Sequence, residues 1–121
     1  MSAVATAQGA ERAVERLSEM SLDLRACAIL DADGGLLAES ASADWAARSA
    51  ELWASADVRG RPRPTQIHVA AEGGEVFAVR SPEATAIAVC ERFALASLMF
   101  CDLRAVIRDI GGPDRQPGGG G

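Results

Sequence analysis

The chain has 121 residues, 49% of them hydrophobic, and a formal net charge of −5. That length supports one domain with a single core, and not two. All twelve basic residues are arginine, outnumbered by seventeen acids; this excludes a nucleic-acid binder, which needs a basic face to neutralise phosphate. No apolar run reaches the roughly 20 residues that cross a bilayer, so no membrane insertion is expected.

The opening MSAVATAQGAER lacks the charged-then-apolar pattern of a leader, and a cytoplasmic protein is the expectation. Cys27, Cys90 and Cys101 are odd in number, widely spaced and set among apolar residues. They read as buried, reduced thiols rather than a bridge or a metal site.

In chain order, residues 1–9 read as a flexible N-terminus. From Ala10 the apolar positions Ala10, Ala13, Val14, Leu17 and Met20 recur at helical spacing, with Arg12 placed to pair with Glu15 and Arg16 with Glu19. Arg25 to Leu30 reads as a strand. Asp31-Ala32-Asp33-Gly34-Gly35 is a tight turn, because carboxylates accept nearby backbone N–H groups and glycine takes positive φ. Too few oxygen ligands stand at the right spacing for a calcium loop. A second strand, Leu36 to Ser40, returns.

Ser42 or Asp44 can cap the next helix, Trp45 to about Ala56. One row along it is Trp45, Ser49, Leu52 and Ala56; the next is Ala46, Ala50 and Trp53. Two readings stand level: a partner helix docks on the two indoles, or both pack on the chain's own sheet. Asp57 to Pro64, DVRGRPRP, is a loop, since Gly60, Pro62 and Pro64 forbid regular structure. It reads first as solvated, with Arg59, Arg61 and Arg63 as candidate contacts to phosphate or an acidic partner.

Thr65 to Cys90 holds three runs rich in β-branched residues, separated by Gly73-Gly74 and by Ser81-Pro82, and reads as an antiparallel meander. The glycine pair suits a two-residue hairpin loop. Thr85 to Cys90 is apolar on both faces apart from Thr85, which marks a central strand covered above and below. His68 has no Cys or His neighbours and reads as a strand residue. Glu91-Arg92 opens a last helix with Leu95, Leu98, Met99, Leu103, Val106, Ile107 and Ile110 as its stripe, ended by Gly111-Gly112-Pro113. Residues 111–121 are expected to be a disordered Gly-rich tail. No phosphate-binding loop, nucleophile elbow or Cys/His pair is present. The chain is therefore expected not to be an enzyme and to carry no cofactor.

The sum is an α+β domain over 10–110, with a five-stranded antiparallel sheet, element order α-β-β-α-β-β-β-α and helices on both faces. CAILDADGGLLAES, the Ala-rich helix after it, and the hairpin plus strand leading into FALASLMFCDLRAVIRDI together resemble the Roadblock family. That family includes the dynein light chain of that name and bacterial regulators of small Ras-like GTPases. The resemblance implies a non-catalytic homodimeric regulator or scaffold that binds a small GTPase or a second Roadblock-like chain. It implies pairing through the second helix and third strand. The expected contact is Trp45, Ser49, Leu52, Trp53 and Ala56 with Gln66, Ile67, His68 and Val69; Thr65 to Glu72 would supply an open edge without the Pro or Lys that discourages pairing. The alternative is a small-molecule sensory module with a cavity lined by Ala70, Ala71, Ala78, Ala86 and Ala88, and His68 or Cys90 as a polar contact.

Overall fold

The computed structural model describes residues 6–21, 23–71, 74–91 and 96–110. The elements run α1 (Ala7–Met20), β1 (Leu24–Asp31), β2 (Leu36–Glu39), α2 (Trp45–Ala56), β3 (Gln66–Ala71), β4 (Gly74–Arg80), β5 (Ala84–Cys90) and α3 (Ala96–Ile110). The strands form one antiparallel sheet in the order β2-β1-β5-β4-β3. The strand apolar on both faces is thus the central one, and β3 is an edge, as expected. The expectations for residues 1–5, Gly73, Arg92 to Leu95 and 111–121 lie outside the described residues.

Alternation along the strands sorts side chains to two faces. Cys27, Ile29, Ala38, Phe77, Val79, Ala84, Ala86, Ala88 and Cys90 face α1 and α3, where they meet Ala10, Ala13, Leu17, Leu103, Val106 and Ile110. Alanine fills most of the β5 positions there, so α3 can settle close to the sheet without voids. Ala28, Leu30, Ala78 and Ile87 face the other way, toward Trp45 and Trp53 of α2.

Several local expectations change. Helix α1 begins at Ala7, three residues early, because the Thr6 hydroxyl accepts from the Gly9 N–H at 3.0 Å and closes the first turn. Gly9 is buried, so part of the segment taken as flexible belongs to the fold. Met20 and Leu98 lie outside the apolar stripes and are exposed. Arg16 pairs across to Asp109 on α3 instead of along its own helix to Glu19. Glu91 is not helical; its N–H donates to the Asp23 carbonyl at 2.9 Å. Asp44 sits at the N-cap of α2 without a side-chain capping bond. Cys101 is exposed, whereas Cys27 and Cys90 are buried.

Gly74 is not a loop residue but the first position of β4, paired with Ala71. A Cβ there would lie 2.4 Å from the Cys90 carbonyl oxygen, so glycine is required by the approach of β5. The β1–β2 turn matches its reading. One Asp31 carboxylate oxygen accepts from the N–H groups of Asp33 and Gly35, both at 2.9 Å, and Gly34 has φ +89°. Ser81 ends β4 as expected, its hydroxyl accepting from the N–H groups of Glu83 and Ala84.

Candidate protein interaction surface

The phase of the outer edge follows from one hydrogen bond. The Arg80 N–H donates to the Thr65 carbonyl at 2.9 Å, so residue 65 turns its peptide groups toward β4. Alternation then directs those of Ile67, Val69 and Ala71 inward, and those of Gln66, His68 and Ala70 outward from the sheet. The outward set is a row of backbone donors and acceptors centred on His68.

Side chains of β3 alternate between the two layers. His68 opposes Phe77 and stacks on it with ring centroids 4.2 Å apart, its Nε2 lying 2.5 Å from Glu75 Oε1. Phe100 of α3 meets both rings edge-on, and Arg104 donates to Gln66 at 2.5 Å. The edge is therefore stiffened from the α3 side. Ile67 and Val69 point the opposite way, opposite Ala78 and Val76.

On that second face α2 covers only part of the sheet. Trp45 and Trp53 are 3% and 6% exposed and rest on Ala28, Leu30, Ala78 and Ile87. Of the two readings, the indoles packing on their own sheet is the one observed. Trp45 Nε1 donates to the Ala41 carbonyl at 2.9 Å. Trp53 Nε1 has no hydrogen-bond partner, alone among the buried side-chain polar atoms of the described residues, and the Arg80 guanidinium lies 3.9 Å over its ring. Ser49 is buried beside them. Among the expected interface residues, Trp45, Ser49 and Trp53 thus turn inward, while Leu52, Ala56 and Ile67 are half-buried and Gln66, His68 and Val69 are exposed. Val76 and Val89, absent from the sequence reading, stay half-buried beside α2. Their apolar runs carried the signal, but no pattern told which strand positions α2 would leave open. Together with Trp45, Leu52 and Ile87 they line a groove of about 340 Å³.

A second groove, about 640 Å³, lies on the other flank of α2 between Ala46, Ala50 and Trp53, the Asp31 to Gly34 turn, and Arg80 to Pro82. The alanine-lined cavity expected of a sensory module does not form. Ala70 and Ala71 are exposed on the edge strand, Ala78 faces α2, and Ala86 and Ala88 face α1 and α3. His68 and Cys90 share the α1 and α3 face with the last two, but that side is filled with side chains. Burial pushes the Cys90 thiol up to about 12, helped by the carboxylates of Asp23, Glu75 and Glu91 and by Cys27. Burial also raises Cys27, opposed by hydrogen bonds with Ser40 and Ser18. Both sulfurs are protonated core groups and not nucleophiles.

A layer of two helices lies on one face of a five-stranded antiparallel sheet whose edges are β2 and β3, and a single helix covers part of the far face. The solved structures this chain matches include Roadblock/LC7 domains, MglB and MglC. Against the Roadblock/LC7 domain from Streptomyces avermitilis the TM-score is 0.71 at 14% identity, covering 83% of this chain and 92% of that one. A structure of MglB with a tetrameric arrangement gives 0.63 at 20% identity, covering 90% and 92%. MglC from Myxococcus xanthus gives 0.60 at 11% identity, covering 84% and 96%. No family model and no curated protein matches the sequence. The chain has the Roadblock fold, and the resemblance drawn from its motifs holds across most of its length. Among the described residues, no helix is long and apolar enough to cross a membrane.

Proposed function

We propose that the chain is a non-catalytic regulatory or scaffold domain that works as a homodimer, joined through β3 and the strip of sheet beside α2. The observation that carries this is the coincidence of two incomplete features. The outward peptide groups of Gln66, His68 and Ala70 border the exposed Val69 and the half-covered side chains of Leu52, Ile67, Val76 and Val89. Pairing β3 with β3 of a second copy extends the sheet and brings a second α2 beside the first, so both deficits close together. Completing the burial of such a Val, Leu or Ile side chain contributes up to about 1.5–3 kcal/mol. The tetrameric arrangement of one MglB structure supports self-association in this fold.

The macromolecule that docks on the joined platform is, on the family resemblance, a small Ras-like GTPase or another Roadblock-like chain. The one imidazole–carboxylate pair of this edge, His68 with Glu75, is stacked on Phe77, and on this reading regulation proceeds by holding a conformation of the partner rather than by chemistry.

Mass in solution tests the dimer. Ala70→Pro removes an outward N–H that the chain's own sheet does not use, on a residue exposed at the edge. The native protein is expected at twice the 12.5 kDa of one chain, and Ala70→Pro at the single mass with its circular dichroism unchanged. A native protein of single-chain mass, or a variant that stays dimeric, overturns the proposal.

A further inference from the structure

The loop between α2 and β3 is clasped at both ends by one side chain. Arg80 Nη2 donates to Asp57 Oδ1 at 2.7 Å, where the loop leaves α2, and Arg80 Nε donates to the Pro64 carbonyl at 2.9 Å, where it enters β3. The same guanidinium lies over Trp53, and Arg63 Nε approaches the other Asp57 oxygen at 3.7 Å. Between these anchors the Arg61 N–H donates to the Val58 carbonyl at 3.0 Å and Gly60 has φ +83°. This is a tight turn that requires glycine at its third position.

The turn projects three side chains into solvent. Val58 is 51% exposed, and Arg59 and Arg61 are exposed and make no ion pair or side-chain hydrogen bond among the described residues. Exposed polar loops usually lose order entropy when they bind; this one is already held at its base, which reduces that cost. Arg63 and Arg80, by contrast, are engaged with the loop itself.

We infer that the Val58 to Arg61 turn is a docking finger for an acidic patch on a protein partner. Val58 enters a shallow apolar site, and Arg59 and Arg61 bond carboxylates on either side of it, a geometry to which the forked guanidinium is suited. An extended polyanion fits less well: the chain as a whole carries −5 and repels one, while two guanidinium groups on a single turn match a local patch. The inference rests on the reading that the chain acts by contact with another macromolecule, and it does not require the β3 pairing.

The probe is a fluorescently labelled short peptide with one local acidic patch, Gly-Ser-Glu-Leu-Glu-Ser-Gly, titrated with the full chain at low and at physiological salt. A single-stranded DNA oligonucleotide and phosphatidylserine vesicles are the comparison ligands. Saturable binding of the peptide is expected, weaker at higher salt. Arg59→Ala with Arg61→Ala should lower its affinity about tenfold or more, and Val58→Ser a few-fold, without change in melting temperature. The decisive variant is Asp57→Ala. It makes the loop more basic, so attraction between net charges alone would tighten binding; loss of the clasp is expected to weaken it. No saturable binding, tighter binding by Asp57→Ala, or preference for the DNA or the vesicles overturns the inference. Mass in solution, measured on the same samples, separates such a failure from failure of the dimer.

Discussion

The two faces of the sheet are built to different degrees of completion. Under α1 and α3, Phe77, Leu17, Ile29, Leu103 and Val106 are fully buried, and alanines on β5 let α3 close on the strands. Under α2 the buried set shrinks to two indoles and the four side chains beneath them, with half-covered aliphatics at its margin. The first face can supply the stability of a lone chain. The second holds a helix in place and leaves half-buried aliphatics at its margin, the strip on which the proposed pairing draws.

Changes on the closed face should have the largest effect. Leu103→Ala leaves a cavity among Leu17, Val106 and the β5 alanines and is expected to cost about 2–5 kcal/mol in urea unfolding. Val89→Ala, at the margin of the open face, should cost about 1 kcal/mol or less in the protomer. Equal losses would mean that the two faces are alike.

Alkali gives an effect of intermediate size. The folded Cys90 pKa of about 12 lies above its ordinary 9.0, so the folded chain keeps this proton to higher pH than the unfolded chain. Its contribution is intact below about pH 9 and falls by up to about 1.4 kcal/mol per pH unit as pH rises toward 12. With no Lys or Tyr in the chain, the background titration in this range is small. Urea unfolding at pH 8, 10 and 11 should show the decline, and Cys90→Val should reduce it, leaving the part due to Cys27, whose thiol burial also raises; a native protein equally stable at all three removes this account. The exposed Cys101 should meanwhile react with a thiol reagent in the folded state, and Cys27 and Cys90 only on unfolding. The smallest change should be Arg16→Ala, which deletes an exposed pair with Asp109 and is expected to shift stability by about 0–1 kcal/mol.

Much of this was legible before the fold was known, and the exceptions have physical reasons. The centrality of β5 follows from a run apolar on both faces, and the β1–β2 turn from Asp31 and its glycines. The inward turn of Trp45 and Trp53 was not legible, because α2 offers small residues on nearly every side and its period does not select a face. Gly74 looked like a turn residue, since the Cys90 carbonyl that demands it is sixteen positions away in sequence. Cys101 was recoverable: its place on α3 falls in the row of Ser97, Arg104 and Arg108, all exposed. Arg80 offered no local signal; its task depends on Asp57, Pro64 and Trp53 meeting at one end of the sheet.

The strand order has a consequence for how the chain reaches this form. The strand that sits in the middle is the last to be made, so β1 with β2 and β3 with β4 emerge from the ribosome as two separate hairpins with no seam between them. Until Ala84 to Cys90 has been synthesised and slotted in, neither hairpin can be joined to the other. Assembly of the sheet is a late, long-range event, expected to be slower than that of a helical bundle of equal length.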